Sequence, residues 1–226
     1  MPANYDEVYD HLENVFVEQC NTNYLKKPEL RIPHVVVIYD MSKSIETVLT
    51  TIALAELHRL QFIKIQAVVA TLMPARSRAE LALGVLELLD LPDVPVGIGT
   101  TATTNYHDPQ DFEFDGTDLI KTSNTMKLKS GSELLETVFR ENIQMGRKAR
   151  LVLLSSFTDI AYLSVEFPDL ITEENIDFVS LQGKYKITAG GQRIPDLLGT
   201  TNNRYDEQAT KLWHQFMVSF IFIQNR

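Results

Sequence analysis

The residues with the strongest claim to chemistry stand just after apolar runs. Asp40 closes the run His34-Val35-Val36-Val37-Ile38-Tyr39, and Glu46 opens the segment that follows. Two carboxylates brought together at a strand end can hold a divalent cation or take a proton from water. His107 lies in the polar stretch Asn105-Tyr106-His107-Asp108-Pro109, and Asn202 begins Asn202-Asn203-Arg204-Tyr205-Asp206. Each has a plainer reading beside the chemical one. A lone loop imidazole is commonly just solvated, Asp40 suits the positive end of a following helix dipole, and Asp206 suits an N-cap. No HxxxH or CxxC spacing is present, so zinc is not indicated. Ser155-Ser156 lacks the G-x-S-x-G frame and Gly190-Gly191 lacks the following Lys-Ser/Thr, so neither a nucleophile elbow nor a phosphate cradle is indicated.

The elements that must position these residues alternate. The run 34–39 is β-branched and continuous, as a strand buried on both faces requires. Residues 46–57 place Val48, Leu49, Ile52, Ala53 and Leu57 on one helical stripe, which predicts a helix with that stripe inward, and 62–70 predicts a second strand. Ser77-Arg78-Ala79-Glu80 has the form of a capping box for a helix to Leu89, followed by a strand at 94–98. Ser130-Gly131-Ser132-Glu133 repeats the signal, with a helix to about Gln144 and a strand at 151–155. Further on, the pattern predicts a helix at 158–167, a strand at 176–181, a helix at 206–216 and a last strand at 218–223. This alternation predicts an α/β fold, a doubly wound, mostly parallel sheet with helices on both faces, formed by residues 1–226 as one domain. In such sheets ligands sit beyond the carboxyl ends of the strands, at 40–45, 71–73, 99–101, 155–156 and 202–206. Two long stretches, 100–129 and 183–203, interrupt the alternation, and loops of that length are commonly functional.

Composition narrows the partners. Hydrophobic residues make up 44% and charged residues 23%, the balance of an ordinary globule, which excludes a disordered or fibrous chain. With 21 basic and 30 acidic residues the net charge is −9, which opposes binding to a phosphate backbone, so nucleic acid is not an expected partner. The most apolar stretch, 217–223, is far short of the roughly 18 to 20 residues that span a bilayer, so no membrane is expected. Cys20 is the single cysteine and no basic-then-apolar leader opens the chain, so a reducing, cytoplasmic setting is expected.

Several blocks together resemble the nucleoside hydrolase family of inosine- and uridine-preferring enzymes. Val35-Val36-Val37-Ile38-Tyr39-Asp40-Met41-Ser42-Lys43-Ser44-Ile45 stands where that family has a strand and the acidic motif D-x-D-P-G-x-D-D. Pro92-Asp93-Val94-Pro95-Val96 is similar to its I-P-V strand, and Leu151-Val152-Leu153-Leu154-Ser155-Ser156-Phe157-Thr158-Asp159-Ile160 to the stretch reading L-G-P-L-T-N-I. Phe167-Pro168-Asp169-Leu170, Phe178-Val179-Ser180-Leu181-Gln182-Gly183 and Asn202-Asn203-Arg204-Tyr205-Asp206-Glu207-Gln208-Ala209 follow in the family's order. Asp115-Gly116-Thr117 is similar to its D-G-L-G, in the loop whose His107 would face substrate.

What the resemblance implies is a fold with an altered site. In the family the acidic cluster binds calcium, which orients water and ribose, and one Asp acts as base. Here Asp40 matches the second Asp, while Ile38, Ser44 and Ile45 occupy the other acidic positions and Met41-Ser42 replace Pro-Gly. Ala70-Thr71-Leu72 stands at Ala-Gly-Asn, and of the ribose-binding Glu and Asn only Asn202 is matched, with Thr200 at the Glu. The resemblance also implies a further C-terminal portion, with another metal Asp and a catalytic His, that the family has and this chain lacks. The implied substrate contacts are Asn202, Thr200, Thr71 and His107, and the implied base is Asp40. The expected cofactor is none, or Ca2+ held by Asp40 and Glu46 if part of the site is retained. The leading expectation is a nucleoside-hydrolase-like protein without calcium-dependent N-ribohydrolase activity, serving as a module for a nucleoside-like small molecule or for protein interaction. The alternatives are an active N-ribohydrolase with a rearranged site, or a different chemistry in the same crevice. Apolar surface near 212–223, bared by the missing portion, is expected to be covered by homo-oligomer formation or by an active homologue.

Overall fold

Six strands and their connecting helices build the sheet that carries the site. The computed structural model describes residues 32–102, 111–122, 124–191 and 193–224, and His107 lies outside them. Strand β1 (His34–Tyr39) is buried along its whole length. It is followed by α1 (Ile45–Arg59), β2 (Lys64–Ala70), α2 (Ala75–Leu88) and β3 (Val96–Ile98). Three 3-10 turns, at Asp111–Phe114, Thr117–Leu119 and Thr125–Lys127, precede the short β4 (Lys129–Ser130). Then come α3 (Gly131–Gln144), β5 (Ala149–Leu153), α4 (Thr158–Glu166) and β6 (Ile176–Leu181). A small antiparallel pair, β7 (Tyr185–Ile187) and β8 (Arg193–Pro195), occupies the second long interruption, and α5 (Thr201–Tyr205) and α6 (Glu207–Gln224) end the described chain.

The sheet order is β4-β3-β2-β1-β5-β6, with every pairing parallel. Strand β1 explains why its sequence is apolar without alternation. Val36 and Ile38 join one core with residues of α3, α4 and α6, while Val35, Val37 and Tyr39 join another with residues of α2. The doubly wound architecture expected from the alternation is therefore the one present, and the described residues from 33 onward form one compact unit. No helix among the described residues is long and apolar enough to cross a membrane.

Several local expectations are corrected. The segment 218–223 is not a strand: α6 runs unbroken from Glu207 to Gln224. Its β-branched and aromatic residues follow an established helix, where each added residue gains one hydrogen bond without a new nucleation cost. Ala209 and Trp213 of α6 lie in the first core, while Leu212 is 37% exposed. Helix α2 begins at Ala75 after Pro74, ahead of the supposed capping box at Ser77. Helix α3 does start at its box, with Ser130 as N-cap, but the Ser130 hydroxyl bonds Ser132 Oγ at 3.0 Å rather than the helix backbone. Strand β3 begins at Val96 rather than 94, and β5 spans 149–153 rather than 151–155.

The largest correction concerns α1, whose predicted inward stripe is split: Val48 packs against the second core and Leu57 is half-buried, whereas Leu49, Ile52 and Ala53 face out. Ile45, Leu49 and Ile52 are exposed, and the buried residues of the helix are Thr47, Thr51 and Ala55. The Thr51 hydroxyl donates to Thr47 O at 2.8 Å, and the Thr47 hydroxyl donates to the Asp40 carboxylate at 3.3 Å. A buried carboxylate needs donors more than it needs methyl groups, and it sets which face turns inward. Leu49→Gln is therefore expected to change unfolding free energy in urea by less than about 0.5 kcal/mol. Thr51→Leu, which overfills the inward face, is expected to cost about 1–3 kcal/mol. A loss of about 2 kcal/mol or more for Leu49→Gln, the cost of emptying a core position, would show that the apolar face is covered.

Candidate functional site

Strands 2, 3 and 4 extend the sheet on one side of β1, and strands 5 and 6 on the other. The chain order reverses between β1 and β5, and that is where a crevice for ligands opens in sheets of this type. Asp40 leaves β1 and Ser155 follows β5, and they meet across this point: Ser155 Oγ donates to Asp40 Oδ2 at 2.9 Å. Thr47 occupies the other oxygen, Oδ1. Asp40 is 3% exposed, and burial pushes its pKa up to about 6, against the Ser155 bond and the positive charge of Arg78, which pull it down.

Arg78, in the first turns of α2, has no exposed side-chain surface. Its Nη1 donates to Met41 O at 2.8 Å and to Ser42 Oγ at 3.3 Å. Its Nη2 donates to Met73 O at 3.0 Å and to Glu113 Oε2 at 2.6 Å, and Nε to Met73 O at 3.3 Å. The guanidinium also lies 5.2 Å from the ring centroid of Phe114. Glu113, equally buried, takes Lys43 Nζ on its second oxygen, so one carboxylate joins two cations. Tyr205 belongs to the same group. Burial holds its hydroxyl well above the usual range, and the negative charges of Asp40 and Glu113 act in the same direction.

The loops around this group carry backbone strain. Ser42, Leu72 and Ala102, which follow β1, β2 and β3, have φ of 71°, 71° and 57° without being glycine. Left-handed residues of this kind cost about 1 kcal/mol or more each, and they gather where the surrounding structure imposes them, often at binding sites. Leu72, Ala102 and Tyr205 pack together as a small apolar cluster at these strand ends. Asp159 of α4 completes the layer. Its oxygens accept from Thr100 N at 2.9 Å and Thr100 Oγ1 at 3.0 Å, and burial raises its pKa. Gly99 makes this approach feasible, since a Cβ there would lie 3.0 Å from both Asp159 oxygens and 2.9 Å from Val69.

The residues singled out in the sequence have the following places. Asp40, Thr71 and Asn202 all stand at the carboxyl edge of the sheet. Thr71 is fully buried and donates to Thr100 O at 2.9 Å. Asn202 Nδ2 donates to Leu154 O at 3.1 Å and Gln182 O at 3.0 Å, tying together the chain after β5 and after β6. Thr200 is the N-cap of α5, accepting from Asn203 N. Glu46 is exposed, with its pKa lowered by its own backbone N–H and by Ser44, and it does not share the burial of Asp40. Asp206 is the N-cap suggested by its position: Oδ1 accepts from Ala209 N at 3.0 Å, and Oδ2 from Thr158 Oγ1 at 3.0 Å. Arg78, Glu113, Lys43 and Tyr205 were not anticipated. The signal for Arg78 was an arginine among Ala75, Ala79 and Ala82 on the inward face of a helix, and Glu113 stood between two phenylalanines.

The donor set does not fit a calcium ion, which takes six to eight oxygen ligands. Ile38 is buried in the core, Ile45 is 66% exposed, and Ser44 Oγ pairs with Thr47 Oγ1 at 3.3 Å. Both oxygens of Asp40 accept hydroxyl protons, and a guanidinium already supplies positive charge beside it. Among the described residues, no group of three or more His, Cys, Asp or Glu side chains is placed to hold a metal.

No family model matches the sequence, and no curated protein does. Solved structures match well. The type III effector protein XopQ, complexed with adenosine diphosphate ribose, aligns with a TM-score of 0.65 at 22% identity, over 85% of this chain and 56% of that one. The effector protein XOO4466 gives 0.64 at 21% identity, over 88% and 57%. A purine-preferring ribonucleoside hydrolase from Gardnerella vaginalis gives 0.56 at 15% identity, over 80% and 58%. The chain thus spans a little over half the length of these structures. It has the nucleoside-hydrolase fold, as the ordered sequence blocks implied.

Asp40 generates a pH prediction. Its pKa is about 6 in the folded protein against an ordinary value of 3.8, so between those values the folded state binds the proton more tightly and stability falls as pH rises. Asp40→Asn removes this contribution. In urea titrations the variant is expected to gain on the wild type by up to about 3 kcal/mol between pH 4 and pH 7. A constant gap between the two proteins over that range would show that Asp40 titrates normally.

Proposed function

We propose that this chain is a nucleoside-hydrolase-like protein that holds a ribose-bearing small molecule at the β1/β5 strand ends and does not cleave N-glycosidic bonds through calcium. One observation carries the reading: the carboxylate left from the acidic motif, Asp40, is buried with a hydroxyl on each oxygen and with Arg78, not a metal site, as its neighbouring cation. Calcium-dependent hydrolysis requires that carboxylate to face an ion and a water. The ligand class is supported by the fold neighbours. XopQ is described in complex with adenosine diphosphate ribose and the Gardnerella vaginalis protein as a ribonucleoside hydrolase, and ribose is common to both. The strained loops after β1, β2 and β3 support a built recognition site at the same edge. Asn202, Thr71 and Thr200 serve that site by fixing the main chain around it, and His107 is its proposed contact from the long polar loop.

Thermal unfolding with saturating adenosine diphosphate ribose or inosine, in calcium and in EDTA, tests the reading alongside chromatography for released base. A rise in Tm of about 5 °C or more with one of these ligands, equal in calcium and EDTA and without free base, is the expected result. Calcium-dependent release of hypoxanthine from inosine, lost in Asp40→Ala, would overturn it and establish a rearranged ribohydrolase. No shift with either ligand would remove the ribose-binding part.

A further inference from the structure

We propose that Arg78 is the resident cation of the strand-end site, its guanidinium holding the oxygen atoms of three loops that a divalent ion would otherwise have to neutralise. The proposal deepens the calcium-free reading and rests on it. The atoms around the guanidinium are of the kinds a hard cation selects: two main-chain carbonyls, Met41 O and Met73 O, one hydroxyl, Ser42 Oγ, and one carboxylate, Glu113. They come from the loop after β1, the loop after β2 and the 3-10 turn at Asp111–Phe114, so a single side chain closes three segments against one another. The Arg78 and Glu113 side chains have no exposed surface, so removing one partner leaves the charge of the other without the guanidinium or water in its place until the site is refilled. Asp40 stands close enough for its ionisation to be favoured by the same charge. The fork of guanidinium donors satisfies these oxygens in fixed directions, which a lysine cannot do with one ammonium.

A chemical consequence separates this from ordinary packing. Truncating Arg78 leaves two carbonyls, a hydroxyl and the Glu113 Oε2 facing a void beside Asp40, with Lys43 still on the other Glu113 oxygen, and a divalent ion can fill that set. Thermal unfolding of the wild type, Arg78→Ala and the double variant Arg78→Ala/Glu113→Gln, each in EDTA and in millimolar calcium, reads this out. The wild type is expected to unfold at the same Tm in both buffers. Arg78→Ala is expected to unfold about 10 °C lower in EDTA and to recover several degrees in calcium. The double variant, lacking the second carboxylate, is expected to lose that recovery.

An Arg78→Ala protein that folds and is indifferent to calcium would overturn the proposal, as would a wild type stabilised by calcium as strongly as the variant. Should Arg78→Ala fold in neither buffer, Arg78→Lys and Arg78→Gln decide. The lysine variant, which keeps the charge, must have the higher Tm, and equal values would overturn the proposal. Indifference of Arg78→Ala to calcium leaves the calcium-free reading of the wild type standing, whereas calcium-dependent base release by the wild type overturns that reading directly.

Discussion

A guanidinium removed from water must be surrounded by oxygen, and at Arg78 that requirement reaches into three segments at one end of the sheet. The loop after β1 delivers a carbonyl and a hydroxyl, the loop after β2 delivers a carbonyl that two of the donors share, and the long polar insertion delivers Glu113. The left-handed residues Ser42 and Leu72 stand next to the two carbonyls taken, so the strained turns and the buried charge occupy the same stretch of chain. An arginine in this position makes the edge of the sheet specific about its neighbours. A buried ion pair contributes little net stability over a well-packed apolar core, but losing one member of it is costly.

The acids nearby are each accommodated differently. Asp40 is held by two hydroxyls, Glu113 by two cations, Asp159 by the backbone and side chain of Thr100, and Asp206 by a helix N-terminus and Thr158. Four carboxylates gathered at one end of a parallel sheet would be the outline of a metal centre if they faced one another. Here each faces its own donor. The shared fold therefore fixes where such groups lie and leaves open what they do, which is the general relation between a scaffold and its site.

The centre of the sheet was legible because burial on both faces leaves no choice of polarity: β1 reads as a continuous apolar run and ends where expected, whereas the edge strand β6, largely exposed, was read from its β-branched and aromatic residues. Asp40 was legible for the same reason, being the first polar residue after a buried strand. Hydrophobic periodicity failed at α1, where it assigns Leu49 and Ile52 to the core, because a bond to a buried carboxylate outranked methyl burial. It failed again at 218–223, where β-branched and aromatic residues suggest a strand while the preceding helical turns and the seat of Trp213 carry the helix onward. Arg78 was hidden because an arginine is read as solvent-facing by default, and Glu113 because its partner lies 35 residues away in sequence. The places of Thr71 and Asn202 could be anticipated from strand order, but their main-chain partners depend on how neighbouring loops meet.

The inward threonines of α1 carry one more implication. An oily helix face tolerates rotation about the helix axis, since hydrophobic contact has no preferred direction. A face whose hydroxyl must point at a carboxylate does not, because a swing of a few tens of degrees breaks the bond and strands a charge. Helix α1 is thus angularly indexed as well as packed: Val48 and Leu54 seat it against the core, and the Thr47 bond to Asp40 ties its azimuth to the carboxylate.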